Sequence, residues 1–233
     1  FFAKQQTIAL ANRGKVDPHD IRDAIRRGAY RALAKLISAD TPGDEIIESL
    51  MRSGLRGRGG GGFPTGIKWK TCLRASRERK VKPYVVCNGD EGDPGAFMDR
   101  SLVEADPHAV IEGMLIGARA LGAEEGFVYI RREYPLALER LYLAIEQARE
   151  WGLLGSDVMG SSMKFDIRVH QGAGAFVCGE STALMASMEG SAGEPRAKYV
   201  HSTEKGLFDQ PTVLNNVETW AAIGAIIQNG GAW

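Results

Sequence analysis

Short apolar runs alternate with amphipathic stretches along this chain, and that alternation leaves few architectures open. Residues 83–87 (Pro-Tyr-Val-Val-Cys), 126–130 and 165–170 are each short and rich in β-branched or aromatic residues. Each is followed by a polar or glycine-rich loop and then by a helical pattern. Parallel strands need long crossovers, and helices are the usual ones. The chain therefore reads as an α/β protein with a mostly parallel, Rossmann-like sheet, flanked by helices and covered on both sides. In such sheets ligands lie beyond the carboxyl ends of the strands. The loops after 83–87 and 165–170 are expected to converge on one pocket.

The helical signals are specific. Asp17 reads as an N-cap, with Pro18 at the first helical position and Asp20 in the first turn. Ile21, Ile25, Leu33 and Leu36 then form an apolar stripe, so residues 1–40 read as a helical N-terminal preface to a domain over 41–233. Thr41-Pro42 repeats the cap signal ahead of Ile46, Ile47, Leu50 and Met51, and Gly54 stops that helix. Asp106-Pro107 opens another helix. Further helices are expected over 134–151, near 180–189, and from Asn215 onward.

Composition narrows the function classes. Lys+Arg and Asp+Glu are both 29, so the net charge is zero, which argues against a nucleic-acid binder or a membrane-surface protein. Hydrophobic and charged fractions of 44% and 25% are those of a globular protein. Cys72, Cys87 and Cys178 are too few and too scattered for a disulfide framework or a metal knuckle. No apolar run reaches the roughly 18–20 residues that span a bilayer, and the start of the chain does not read as a signal peptide. A cytoplasmic protein without direct membrane insertion is the expectation.

Glycine carries the strongest motif. Of 29 glycines, seven lie in the thirteen residues 54–66, within GLRGRGGGGFPTGIKW. Bare backbone N–H groups can surround a phosphate, and Arg56, Arg58 and Lys68 add positive charge. Phe63 and Trp69 offer ring faces. A flexible linker or an RGG-type RNA segment is the plainer explanation. The second motif, NGDEGDPGAFMDR, puts Asp90, Glu91 and Asp93 within four residues. Carboxylates there suit sugar or ribityl hydroxyls and ring N–H groups. A solvated acidic turn or a Ca²⁺ or Mg²⁺ site remains open, though EF-hand spacing is missing. The third, GAGAFVCGE, leads into a helix. Its Cys178 is a reactive thiol or, more simply, a small buried residue. The fourth, PTVLNNVETW, places Asn215, Asn216 and Thr219 at a helix start, where they could simply be caps. The four histidines show no metal spacing, and no nucleophile–base pair stands out. This inventory suits a protein that holds a redox cofactor and leaves the chemistry to it.

These four motifs, in this order, resemble the flavoprotein (51 kDa, F-type) subunit that oxidises NADH in respiratory complex I. They are equally similar to the diaphorase subunits of NAD(P)-linked hydrogenases and formate dehydrogenases. The resemblance runs from about Gly54 to Trp220, and the preface looks more like the hydrogenase and formate dehydrogenase relatives. It implies an FMN- and NAD(P)H-binding domain over 41–233, with hydride transfer between nicotinamide and FMN. Electrons then pass to iron–sulfur clusters of partner subunits: a 24 kDa-type thioredoxin-like 2Fe–2S subunit, and a hydrogenase or formate dehydrogenase catalytic subunit. By the resemblance, Gly57, Arg58, Gly59 and Lys68 belong to the FMN-binding glycine segment. Asn88, Asp90 and Glu91 contact the flavin and its ribityl chain. Phe176, Gly179 and Glu180 form the flavin-side loop, and Asn215, Asn216 and Thr219 surround the FMN phosphate. Gly60, Phe63, Asp93 and Lys198 lie near the dinucleotide, with Phe63 stacking on it. Glu180 and Asp93 position and tune the reacting groups rather than abstract a proton.

Three departures from the family pattern bear on function. Respiratory members carry two glutamates in CGEE, where this chain has Glu180-Ser181. In the family a carboxylate at the second position faces the NADH ribose and repels a 2′-phosphate, so Ser181 implies that NADPH is accepted or even preferred. Asp93 stands where many relatives have Glu, and Tyr199-Val200-His201-Ser202 replaces a proline-rich stretch. The family's ubiquitin-like domain and its 4Fe–4S cluster domain have no counterpart here, so a 4Fe–4S cluster is expected only in that missing C-terminal part. The competing expectation is a cofactor-free scaffold module that contacts partner subunits.

Overall fold

The three apolar runs become three parallel strands, and a fourth joins them in a computed structural model that describes residues 4–196 and 201–233. Strands β1 (Tyr84–Gly89), β2 (Glu125–Arg131), β3 (Asp166–Gly172) and β4 (Thr212–Asn216) form one sheet in the order β3-β2-β1-β4. Every pairing is parallel. The chain steps outward from β1 through β2 to β3, then returns to pair β4 with the other side of β1. The direction of winding reverses between β1 and β4, where loops diverge to opposite sides and a crevice opens at the carboxyl ends. Asn88 and Asn216 are register partners at that point.

The nine α-helices among the described residues are α1 (Ile21–Arg26), α2 (Arg31–Ser38), α3 (Gly43–Ser53), α4 (Thr65–Arg79), α5 (Met98–Ala105), α6 (Pro107–Leu121), α7 (Pro135–Glu150), α8 (Ser181–Met188) and α9 (Val217–Asn229). Strand alternation assigns them to two layers. Val85, Cys87, Val128, Ile130, Ile167 and Val213 point into one large core shared with side chains of α2, α3, α4, α6, α7 and α9. Val86, Tyr129 and Leu214 point the other way, into a smaller cluster with Cys178, Leu184 and Met185. The sheet is thus covered on both faces, heavily on one and thinly on the other. Two glycines permit a close crossing of α6 and α9 in the thick layer. A Cβ on Gly113 would lie 2.1 Å from the Trp220 carbonyl oxygen, and one on Gly117 would lie 2.7 Å from the Trp220 ring. Trp220 Nε1 in turn donates to the Val86 carbonyl at 3.1 Å, fastening α9 to β1.

Local chemistry explains where the elements begin. Asp106 caps α6 by accepting from Ala109 N, with Pro107 in the first turn, and Gly54 ends α3 in the left-handed region at φ 66°. The first cap is Asp20, which accepts from Arg22 N, not Asp17. Asp17 Oδ1 serves the turn before it, accepting from His19 N. The last helix starts at Val217, two residues later than the sequence suggests. Residues 212–216 continue as β4 because four of its five residues are buried, which erases the alternation that marks a half-exposed strand. The glycine segment is also shorter than it reads. Its loop ends at Pro64, and Thr65 begins α4, so Lys68 and Trp69 are helical.

Candidate functional site

The glycine loop is a closed turn, not a linker. Arg56 and Pro64 form an isolated antiparallel bridge, Gly57 N donates to Phe63 O at 2.9 Å, and Arg56 Nε donates to Gly62 O at 2.6 Å. Gly60 and Gly62 take φ of 97° and 59°, a region that side chains rarely adopt. The loop is pinned to α9: Arg58 N donates to the buried Thr219 Oγ1 at 3.0 Å, and the Arg58 guanidinium lies 3.8 Å from Glu218. Gly59 lies against Asn216, where an added Cβ would come within 3.3 Å of the Asn216 Cβ. Among the described residues, the N–H groups of Gly59 and Gly60 have no hydrogen-bond partner.

The loop after β1 is held from both sides. Asn88 Oδ1 accepts from Asp90 N, and Asn88 Nδ2 donates to Gly179 O, each at 3.0 Å. That second bond ties the β1 loop to the loop after β3, so the two loops meet as the sheet topology requires. Glu91 accepts from Asp99 N and Arg100 N, which caps the start of α5. Asp93 Oδ1 accepts from Gly95 N in a tight turn. Phe176 is 72% exposed, so its ring is available beside these loops. Glu180 caps α8, accepting from Thr182 N, Thr182 Oγ1, Ala183 N and Ser181 Oγ. Burial pushes its carboxyl up, but these hydrogen bonds outweigh burial and leave it below the usual range.

These segments enclose a cavity of about 700 Å³ at the β1/β4 switch point. Arg58, Gly59, Gly60, Asn88, Asp90, Glu91, Asp93, Phe176, Gly179, Glu180 and Asn216 all line it. The other expected site residues are placed otherwise. Lys68 Nζ donates to Leu214 O at 2.8 Å from α4, and burial lowers its pKa. Asn215 is buried in β4. The orientation of its carboxamide that satisfies both neighbours puts its oxygen 3.0 Å from Trp69 Nε1 and its nitrogen 3.2 Å from Leu214 O. Thr219 is fully buried behind the glycine loop, and Phe63 is 52% exposed. Ser181 occupies the first position of α8. Lys198 lies outside the described residues.

Two carboxylates dominate the electrostatics of the cleft. Asp90 is only 8% exposed, and neither of its carboxylate oxygens has a hydrogen-bond partner. Burial raises its carboxyl to about 6; the Arg131 guanidinium, 3.6 Å away, opposes the rise and the Glu133 carboxylate adds to it. Asp99 accepts from Asn216 Nδ2, and burial with the nearby Glu91 carboxylate raises it to about 7. Sequence reasoning missed Asp99 and Arg131. Asp99 stands in the second motif as one more carboxylate, and only burial distinguishes it. Arg131 ends β2, and its place beside Asp90 follows once β2 is known to neighbour β1.

The cleft therefore has two chemically distinct parts. Asp90 offers buried acceptor oxygens without donors, a costly state unless a ligand supplies N–H or O–H groups. The glycine loop offers open amides beside the N-terminus of α9, which favour an anion. A ligand with hydroxyl or ring N–H donors at one end and a phosphate at the other satisfies both, and FMN has that form. Among the described residues no cluster of three His, Cys, Asp or Glu could hold a metal ion, and no helix is long and apolar enough to cross a membrane.

Comparison with known proteins agrees with this chemistry. Residues 50–225 match the family described as the Nuo51 FMN-binding domain. The chain is 54% identical to the NADP-reducing hydrogenase subunit HndC of Solidesulfovibrio fructosivorans over 230 residues, covering 99% of this chain and 46% of that protein. It is 46% identical to the F 2 subunit of NADH-quinone oxidoreductase from Rhizobium meliloti, covering 98% of this chain and 53% of the other. The chain spans about half the length of these curated relatives. A crystal structure of an NAD+-reducing [NiFe]-hydrogenase in the H2-reduced state superposes with a TM-score of 0.74 at 39% identity, over 82% of this chain and 32% of that one. The match covers most of the chain and includes every segment that lines the cleft, so the chain belongs to the Nuo51 FMN-binding domain family.

Proposed function

We propose that this chain is the FMN- and NAD(P)H-binding part of a flavoprotein oxidoreductase subunit. The observation that carries the proposal is the pairing, in one cleft, of the Asp90 carboxylate, which accepts no hydrogen bond, with the open amides of Gly59 and Gly60. The chemistry that FMN supplies when bound is acceptance of a hydride from reduced nicotinamide and release of the electrons one at a time. The chain's own residues bind and orient. Asn88, Asp90 and Glu91 take the ribityl and ring side, while the glycine loop with Arg58, Asn216 and the N-terminus of α9 takes the phosphate side. Lys68, Asn215 and Thr219 support that wall from behind, through Leu214, Trp69 and Arg58. Phe176 with Gly179 takes the flavin side, Gly60 and Phe63 take the nucleotide side, and the resemblance adds Lys198, outside the described residues, to the nucleotide-binding set. Glu180, held ionised by its own helix, and Asp93 position the nicotinamide nucleotide. Holding two rings in contact removes the orientation cost of the reaction, and the hydride step asks no proton of either carboxylate.

Ser181 supports acceptance of NADPH, since it brings no carboxylate toward a 2′-phosphate. The partners we infer are iron–sulfur subunits of a multisubunit redox complex: a 24 kDa-type 2Fe–2S subunit, and a hydrogenase or formate dehydrogenase catalytic subunit. The names of the relatives, a hydrogenase subunit and a quinone oxidoreductase subunit, support that class. We place the complex in the cytoplasm, at most peripheral to the inner face of the membrane. The test is the visible spectrum of the purified chain with FMN, followed by NADH or NADPH without oxygen. Bleaching of the flavin bands supports the proposal. A chain that takes up no FMN favours the scaffold alternative.

A further inference from the structure

We propose that Arg131 is a positioning residue of the cleft, holding the Asp90 carboxylate charged and aimed as an acceptor without consuming its lone pairs. The inference rests on the FMN reading above and deepens it. Arg131 ends β2, between the strands whose loops build the site: Ile130 pairs with Gly89 of β1, and Arg131 pairs with Gly172 of β3. Its side chain is 14% exposed, and that of Asp90 is fully buried. Nη2 is used, donating to Glu133 Oε1 at 2.9 Å and to Gly174 O at 3.2 Å, which fixes the guanidinium to the loop after β3. Nη1 makes no hydrogen bond and lies 3.6 Å from Asp90 Oδ1. That separation gives charge attraction while leaving both carboxylate oxygens to receive donors from a ligand.

The backbone makes room for this arrangement. A Cβ on Gly92 would come within 3.0 Å of Arg131 Nη1 and 2.8 Å of the Phe176 ring. A Cβ on Gly174 would come within 2.3 Å of the Glu133 carboxylate. Among the described residues Arg131 is the one cation within ion-pair distance of Asp90. The other charged or titratable groups nearby are Glu133 and Tyr134 after β2, Tyr129 within β2, and Glu91, Asp93, Asp99, Glu180, Glu218 and the cation Arg58 around the cavity; the Arg58 guanidinium is engaged by Glu218 at 3.8 Å and by the Arg56 carbonyl. Without the guanidinium, a buried carboxylate in this company takes up a proton and becomes a weaker acceptor.

Two measurements test the inference. The first is the FMN dissociation constant of the chain and its Arg131→Gln, Arg131→Lys and Glu133→Gln variants between pH 5.5 and 9, read from quenching of flavin fluorescence. The phosphate's own ionisation is common to all of them and cancels in the variant-to-parent ratio. With the Asp90 titration raised one unit above its value of about 6, Arg131→Gln is expected to weaken FMN binding about twofold at pH 7 and about eightfold at pH 5.5, and to match the parent at pH 9. Arg131→Lys is expected to recover most of the loss, and Glu133→Gln to move the midpoint downward. The second measurement is the Asp90 carboxyl ¹³C titration by NMR in the ligand-free chain, which is expected to move upward in Arg131→Gln. A loss of affinity equal at every pH, or an Asp90 titration unmoved in Arg131→Gln, overturns the inference while leaving FMN binding intact. A parent chain that binds no FMN at any pH, with the Asp90 titration still responding to Arg131, overturns the flavin reading instead, and the role of Arg131 in flavin binding falls with it.

Discussion

The Asn88 carboxamide joins two loops that are far apart in sequence, accepting from Asp90 N and donating to Gly179 O, each at 3.0 Å. One side chain thus sets both the direction of Asp90 and the distance between the β1 and β3 loops. Removing it leaves an amide and a carbonyl without their partner, a cost of about 1–3 kcal/mol. Asn88→Ala is therefore expected to weaken FMN binding roughly tenfold to a hundredfold. Flavin fluorescence titration reads the effect, and unchanged affinity would mean that the loops are positioned by other contacts.

The crossing of α6 and α9 predicts a stability effect remote from the cleft. A methyl at Gly113 would overlap the Trp220 carbonyl, so the helices must separate to admit it. Gly113→Ala is expected to lower the unfolding free energy by about 1–3 kcal/mol, despite alanine's better helix propensity. Urea denaturation measures it. A neutral or stabilising result would show that the two helices can shift without loss.

Buried Glu112 predicts a dependence on pH. Its Oε1 accepts from Ala32 N and Leu33 N at the start of α2, yet burial raises its carboxyl to about 7, outweighing these bonds. A folded-state pKa above the unfolded value of 4.5 means that the native protein holds the proton more tightly. That contribution to stability is complete below about pH 4.5 and is lost as pH rises through about 7. His108, lowered to about 4 by burial, acts in the opposite direction at lower pH, so the comparison must be with a variant. Glu112→Gln is expected to gain stability relative to the parent between pH 5 and 8, by up to about 3 kcal/mol. Parallel unfolding curves across that range would contradict it.

Ser181 begins α8 next to Glu180, and its hydroxyl donates to Glu180 Oε1 at 3.2 Å. Ser181→Glu adds a second carboxylate at this position. The ratio of flavin reduction rates, NADPH over NADH, is expected to fall at least about tenfold, the size of a modest charge repulsion. Stopped-flow bleaching under anaerobic conditions reads the ratio, and an unchanged ratio would place nucleotide selection elsewhere in the cleft.

Different parts of the molecule were legible in the sequence for different physical reasons. Strands β1, β2 and β3 stood out because Val, Ile, Phe and Tyr cluster in them between polar loops. Strand β4 did not, since Thr212, Asn215 and Asn216 look like cap and turn residues when their burial is unknown. Helix α4 was hidden because its buried side is made of Thr65, Gly66, Trp69, Cys72, Ala75 and Ser76 around a single Leu73, a weak apolar stripe. The glycine loop was visible because a backbone that must close on Phe63 and leave amides bare has few residues to choose from. The places of Arg131 and Asp99 depend on which strands are neighbours and on what covers a helix start. That information exists only once the chain is folded.

The order of the strands also has a consequence in time. The cleft wall formed by Asn216 and the start of α9 belongs to β4, whose segment is synthesised after the other three strands of the sheet, yet it must pair with β1, the first of them. Until that distant segment leaves the ribosome, the glycine loop lacks Thr219 to hold it and Asp99 lacks Asn216. Closing so long a loop is entropically slow. The cleft is therefore complete only once the last strand has joined the sheet.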